Sequence, residues 1–205
     1  MNRCLICNEV IESTFNNITG NEVKVCYKCL ESFKIRKSKF NIDGVKGEVL
    51  YYYNDFFKDI LFRYKGCGDY VLKNAFLGCY KDYLKRKFKK YSIVLAPSNK
   101  ENEEKRGFCH LEEIFKSLDL QIVKCFEKNA FWKQSDKNFK ERNDIQNVIK
   151  IDKSQLKEIK RVLIIDDVLT SGSTIRAMIK QMPSNIVKKV FVLSSNCRIS
   201  ANEIV

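Results

Sequence analysis

The sequence predicts an α/β domain built on a mainly parallel sheet, preceded by a small four-cysteine unit. Three observations lead there. From residue 48 onward, apolar runs of strand length alternate with segments of helical periodicity. One run, "RVLIID" (Arg161 to Asp166), is followed by a second carboxylate, Asp167, and then by a turn of small and hydroxylated residues. Near the N-terminus two Cys-x-x-Cys pairs stand 18 residues apart.

Residues 1 to about 40 are polar, cysteine-paired and poor in long periodic runs. A turn-like stretch, Asn41-Ile42-Asp43-Gly44, sets the expected boundary, with a finger over 1–42 and the α/β domain over 43–205. Residues 48–54, rich in tyrosine, read as a strand. Asn54 or Asp55 can cap a helix from Phe56 to Tyr64, whose apolar residues at 56, 57, 60, 61 and 64 share one face. Gly66 and Gly68 end it. A long helix is expected from Asp69 to about residue 88 on the spacing of its apolar positions. "YSIVLAPS" reads as a short strand ending at Pro97. A helix is expected around His110 to Ser117 and a strand around Leu120 to Cys125. Residues 127–147 are polar and weakly periodic, as a mobile loop would be. After the β-branched strand at 161–166, a helix is expected over Ser173 to Met182, then a last strand, "KKVFVLSS".

The chain has 205 residues and is 44% hydrophobic, enough for one domain with a core plus a small appendage. No apolar run reaches the roughly 18 residues of a membrane span. Met1-Asn2-Arg3-Cys4 lacks the apolar core of a signal peptide, so a cytoplasmic location is expected. Nine cysteines, five of them scattered, do not form a secreted disulfide framework. The net charge is +13, from 38 Lys and Arg against 25 Asp and Glu. A polyanion, either nucleic acid or a small phosphorylated ligand, suits that field; so does a plain lysine-rich surface. Lys85, Arg86 and Lys87, inside "YKDYLKRKFKKY", are the candidate nucleic-acid contacts because they lie among aromatic residues. "YKCLESFKIRKSKF" has the same mixture. The competing reading is an amphipathic helix with its rings in the core.

The stretch Thr170-Ser171-Gly172-Ser173-Thr174 asks for an anion. If Ser173 opens a helix, the first N–H groups have no partner within it, and the helix dipole favours negative charge there. Gly172 allows close backbone approach, and four hydroxyls add donors. Asp166 and Asp167 are acceptors, suited to sugar hydroxyls or a metal. A phosphate cradle beside a hydroxyl-binding acid pair describes a sugar phosphate. Cys4, Cys7, Cys26 and Cys29 have the spacing of a structural Zn²⁺ site, and four thiolates leave no open coordination position.

The segment 166–174 resembles the phosphoribosyl pyrophosphate loop of type I phosphoribosyltransferases. With the cysteine pairs before it, nearly the whole chain resembles the ComF family, the competence proteins needed for DNA uptake in naturally transformable bacteria. "FRYKGCGDYVL" is similar to that family's Lys-x-x-Gly-Asp segment, "LAPSNKENEEKRGFCHLEEI" to its Arg-Gly-Phe-Asn-Gln region, and Gln134, Arg142 and Asn143 to its Gln…Arg-x-Asn segment. The resemblance implies a phosphoribosyltransferase-like parallel sheet flanked by helices. It implies ribose hydroxyls on Asp166 and Asp167, the 5′-phosphate on Thr170, Ser171, Gly172, Ser173 and Thr174, and Mg²⁺ on the diphosphate. Lys100 and Arg106 are candidate pyrophosphate cations. Cys109-His110 replaces the family's Asn-Gln, and Thr170 stands where purine-salvage members of the superfamily carry an Asp. His110, the only histidine, is expected to cap a helix start or to lie at the surface rather than act as a base. No residue identifies an acceptor. Three readings follow: a phosphoribosyl transfer enzyme, a non-catalytic binder of the ligand or of DNA ends acting as an adaptor, and a single-stranded DNA binder. Other competence proteins, such as a DNA-uptake helicase, are the implied protein partners.

Overall fold

The computed structural model describes residues 3–11, 24–128 and 149–196. The turn expected near 16–17 or 20–21, most of the 127–147 loop, and Gln134, Arg142 and Asn143 lie outside them. The sheet has six strands in the order β1-β2-β8-β7-β3-β4. These are β1 (Ile35–Ile42), β2 (Val45–Tyr52), β3 (Ser92–Leu95), β4 (Ile122–Val123), β7 (Arg161–Leu169) and β8 (Val187–Ser195). Only β1 runs antiparallel to its neighbour. The short strands β5 (Phe126–Lys128) and β6 (Ile149–Ile151) form a separate antiparallel pair. The expected α/β class with a mainly parallel sheet is what the chain forms.

Val162 to Ile165 in β7 are buried without exception, as a central strand covered on both faces requires. Helix α2 (Asp55–Lys65) is capped by Asn54, whose side chain accepts from the Phe57 N–H. It buries Phe57, Ile60, Leu61 and Tyr64. Phe33, Tyr51, Phe57 and Phe76 pack edge-to-face or tilted, with ring centroids 5.2–6.3 Å apart. Helix α1 (Tyr27–Ser32) leads into this cluster. Most aromatic residues of the finger's basic segment are therefore core, with Phe33 and Phe40 buried and Tyr27 exposed.

The structure departs from the expected elements in three places. The boundary at 42/43 falls on the Asp43-Gly44 turn of the β1–β2 hairpin, so residues 35–42 belong to the main sheet. The long helix from Asp69 is broken. A 3₁₀ turn (Tyr70–Leu72) leads to α3 (Lys73–Leu77), and a second (Gly78–Tyr80) precedes α4 (Lys81–Phe88). Gly78, at φ 38° and ψ −125°, adopts a backbone that no helix contains and that other residues resist. Periodicity carried across the break because both halves bury against the same core. Finally, residues 100–106, assigned to no element from the sequence, form α5 (Lys100–Arg106), capped by Asn99. Helices α6 (His110–Phe115) and α7 (Ser173–Gln181) stand where expected. No helix among the described residues is long and apolar enough to cross a membrane.

Candidate functional site

The strand order places a crevice. β7 leads through α7 to β8 on one side, whereas β3 leads to β4 on the other. The chain thus diverges between the carboxyl ends of β3 and β7, the topological switch point where ligands of open parallel sheets bind. β3 pairs as far as Leu95 with Ile165, and the Ala96 N–H donates to the Ile165 carbonyl at 2.8 Å. β7 then runs past its neighbour and carries Asp166 and Asp167 into that crevice.

The two acids have opposite environments, because successive strand residues face opposite sides. Asp167 is buried. Its Oδ2 accepts from Lys65 Nζ at the end of α2 and lies 3.0 Å from His110 Nε2, while Oδ1 accepts from the Val168 N–H at 2.7 Å. Burial alone would raise its pKa. The hydrogen bond to His110 and the charge of Lys65 outweigh burial and hold the carboxyl well below the usual range. His110 is itself buried, which lowers its pKa against the pull of Asp167. A neutral imidazole beside a carboxylate must donate from Nε2, leaving Nδ1 as an acceptor, and Nδ1 is buried without a partner among the described residues. The Tyr64 hydroxyl donates to the His110 carbonyl at 2.9 Å and fixes the start of α6 against α2. His110 does start a helix, but inside the protein and not at its surface.

Asp166 keeps some solvent exposure and forms no ion pair among the described residues; its Oδ1 accepts only the Asp167 N–H, at 2.9 Å. Burial, then the Asp167 charge, push its carboxyl up to about 7. An acid in this state gains from a cation or from hydroxyl donors. The site therefore divides the pair: Asp167 is held by the protein's own Lys65 and His110, and Asp166 is the carboxylate available to a ligand.

Beyond Leu169, Gly172 caps α7 in the left-handed region at φ 72°. The Ser171 and Ser173 hydroxyls lie 2.9 Å apart, and Ser171 Oγ accepts from the Ser173 N–H at 3.4 Å, a long bond that a better acceptor would replace. Thr170 and Ser171 are exposed, and Ser173 and Thr174 half-buried. A Cβ on Gly172 would lie 3.1 Å from Ile42 Cδ1. Gly172→Ala is expected to cost about 1–2 kcal/mol through its positive φ, read as a lower denaturation midpoint, and to weaken any anion held by the loop.

Lys100 lies by a small hollow at the carboxyl end of β3, lined by Ala96, Pro97 and Ser98, but its side chain is 60% exposed and pairs with Glu127 at 3.1 Å. Arg106 packs beside Lys65, donating to the Phe108 carbonyl at 3.3 Å and the Lys65 carbonyl at 3.4 Å. Lys85, Arg86 and Lys87 are not brought to this site. They lie on α4, which enters β3 at the opposite, amino end of the sheet. Lys85 pairs with Asp119 at 2.9 Å, and Lys87 turns back onto Glu48. Sequence reasoning missed Lys65 and the burial of His110. The Tyr64-Lys65-Gly66 end of α2 was noticed as a segment, but which carboxylate it meets depends on the packing of α2 across β7.

The four cysteines converge as expected, with all four Sγ atoms within 4.8 Å of one another. A tetrahedral Zn²⁺ with bonds of 2.3 Å requires sulfur separations of about 3.8 Å, and Cys7 and Cys26 stand at 3.6 Å. The Cys26 N–H points to Cys4 Sγ at 3.3 Å. Burial raises the Cys4 thiol, but the amides of Cys26, Cys7 and Ile6 outweigh it and bring the pKa down to about 7; burial pushes Cys29 up. Such a cluster fits a cation that lets all four ionise. Arg63 Nη1 donates to the Ile6 carbonyl at 3.1 Å and docks the cluster on α2.

Fold and site together define an α/β protein with a hydroxylated turn at its switch point and an appended four-thiol cluster. No family model matches the chain. It is 29% identical over 192 residues to the competence protein ComFC of Streptococcus pneumoniae (strain ATCC BAA-255 / R6), covering 92% of this chain and 86% of that protein. It is 31% identical over 128 residues to ComFC of Bacillus subtilis (strain 168), covering 62% and 53%. The resemblance to ComF-type competence proteins read from the motifs is thereby borne out. Solved structures similar to the chain include adenine phosphoribosyltransferases. That from Saccharomyces cerevisiae is 16% identical, with a TM-score of 0.42 over 82% of this chain and 88% of that one. That from Thermoanaerobacter pseudethanolicus is 20% identical, with a TM-score of 0.41 over 81% and 99%.

Proposed function

We propose that this chain is a cytoplasmic ComF-type competence protein that serves DNA uptake and binds phosphoribosyl pyrophosphate with Mg²⁺ at the β3–β7 switch point. The observation that carries the reading is the single run in which Asp166 and the 170–174 cradle succeed each other at the carboxyl end of β7. The cradle takes the 5′-phosphate. Asp166 takes ribose hydroxyls or Mg²⁺, and the metal neutralises the diphosphate. Asp167 positions Lys65 at the crevice, a narrower role than the ribose contact that the motif implies. Lys100 and Arg106 stand on the diphosphate side. Zn²⁺ on Cys4, Cys7, Cys26 and Cys29 is structural. The pairing of Lys85 with Asp119 and of Lys87 with Glu48 gives no support to a DNA-binding role for that segment.

Titration calorimetry with phosphoribosyl pyrophosphate and Mg²⁺ tests the reading. The Asp166 proton must leave before the carboxylate can hold a metal or accept a charge-assisted bond from a hydroxyl. Affinity is therefore expected to rise with pH through about 7 in the wild type and to stay flat in Asp166→Asn. Wild type that does not bind at pH 8 refutes the proposal. Pyrophosphate release, measured with and without single-stranded DNA, then separates an enzyme from a non-catalytic binder.

A further inference from the structure

A second cavity lies away from the phosphate cradle. It is an open cleft of about 910 Å³ between α2 and α5, within the size range of small-molecule sites. Its wall has an uneven chemistry. Lys58, Lys65, Lys105 and Arg106 all line it, and Asp55 and Asp59 sit toward its α2 N-terminal side. Phe62 lies among them with 63% of its surface exposed, an unusual place for a phenylalanine in a charged cleft.

The setting of Phe62 explains how the ring is held. Gly66 follows it by one helical turn, and a Cβ there would meet the Phe62 carbonyl oxygen at 2.9 Å and the ring at 3.0 Å. One side of the ring therefore rests on bare backbone while the rest faces the cleft. That is a stacking platform flanked by cations. Arg106 adds an unmet donor: Nη2 has no acceptor among the described residues, and its other nitrogens make contacts of 3.3 and 3.4 Å. A flat ring bearing a phosphate satisfies both features, with stacking on Phe62 and charge-assisted bonds to the Lys and Arg side. Asp55 and Asp59 would accept from hydroxyl or amino donors at the far side.

We infer that the cleft between α2 and α5 binds a phosphorylated nucleotide, with its base on Phe62 and its phosphate on Lys105 and Arg106. The inference stands on the cleft alone and does not require the sugar-phosphate reading. Lys65 joins the two places, since it lines the cleft and pairs with Asp167.

The full-length protein is titrated with adenosine 5′-monophosphate, with adenosine, and with a 5′-phosphorylated oligothymidylate. Adenosine monophosphate is expected to bind, and adenosine to bind more weakly. Phe62→Ala and Lys105→Ala, both at exposed positions, should each weaken the nucleotide about tenfold with unchanged melting temperature. Asp166→Asn should leave nucleotide binding intact while losing phosphoribosyl pyrophosphate. An oligonucleotide that binds more tightly than the mononucleotide identifies a strand end as the source; equal or weaker binding identifies a free nucleotide. No binding by the wild type, or binding unmoved by Phe62→Ala, overturns the inference. So does nucleotide binding lost in Asp166→Asn, which would place it in the crevice. If phosphoribosyl pyrophosphate fails to bind while adenosine monophosphate binds in a Phe62-dependent way, only the sugar-phosphate reading falls.

Discussion

Asp167→Asn destabilises the protein by about 3 kcal/mol, as removing one charge of a buried pair does, whereas Asp166→Asn stabilises it near pH 8. The substitutions are chemically identical and adjacent, so the contrast isolates environment. Asp167 accepts from Lys65, from His110 and from an amide. An asparagine keeps the shape but leaves the Lys65 charge uncompensated beside a buried imidazole. The signs follow from the two pKa shifts. Asp167 is depressed in the folded state, so its contribution is present above the unfolded value near 4 and fades as pH falls below it. Asp166 is raised to about 7, so the folded state holds a proton that the unfolded chain releases near pH 4. Stability on its account declines as pH rises from about 4 to 7, and removing the carboxylate recovers on the order of 1 kcal/mol or more at pH 8. Denaturant unfolding of both variants at pH 5 and pH 8 checks this. Equal effects of the two substitutions would show that the acids are not divided as described.

Cys26→Ser is expected to have the larger local effect. Structural zinc contributes on the order of 10 kcal/mol to small finger units at neutral pH, more than the contacts of residues 3–11 can replace. The variant should lose its metal and its order around Cys4–Cys7 and Cys26–Cys29, while the parallel sheet persists. Phe33 and Tyr51 are held by rings from α2 and α3 and do not depend on the thiols. Metal content and hydrogen exchange over 3–11 and 24–33 measure it. A variant that keeps a full equivalent of zinc contradicts the four-thiolate assignment. Because Arg63 joins the cluster to α2 through the Ile6 carbonyl, some loss of protection should also reach the end of that helix.

Much of the frame was legible because it depends on short-range pattern. The β-branched run of β7, the α2 stripe with its Asn54 cap, and the start of α7 after Gly172 follow from spacing and capping within a dozen residues. The long helix after Asp69 misled for a related reason. Apolar spacing continued across Gly78, and nothing local signals that the chain turns there to follow the core. Helix α5 was hidden because it buries no residue and so shows no apolar period.

The site was legible only as far as sequence neighbours carry it. Asp166, Asp167 and residues 170–174 are adjacent in the chain, so their chemistry could be read together. Lys65 and His110 reach Asp167 from 102 and 57 residues away. The burial of His110 was not legible because its own neighbours, Cys109 and Glu112, say nothing about Tyr64 or β7. Lys85 and Lys87 looked available because Asp119 and Glu48 are 34 and 39 residues distant.

By itself the sequence determined the α/β class, five of the six strands of the main sheet, the four thiols and the hydroxylated turn, since each is set by local periodicity, capping and spacing. Only the tertiary structure decided which carboxylate is held by Lys65 and His110, which acids Lys85 and Lys87 meet, and that a cleft lies between α2 and α5. Those outcomes depend on which distant side chains share a buried volume, and burial with its low dielectric, not residue type, sets the charge state and the partner of each group.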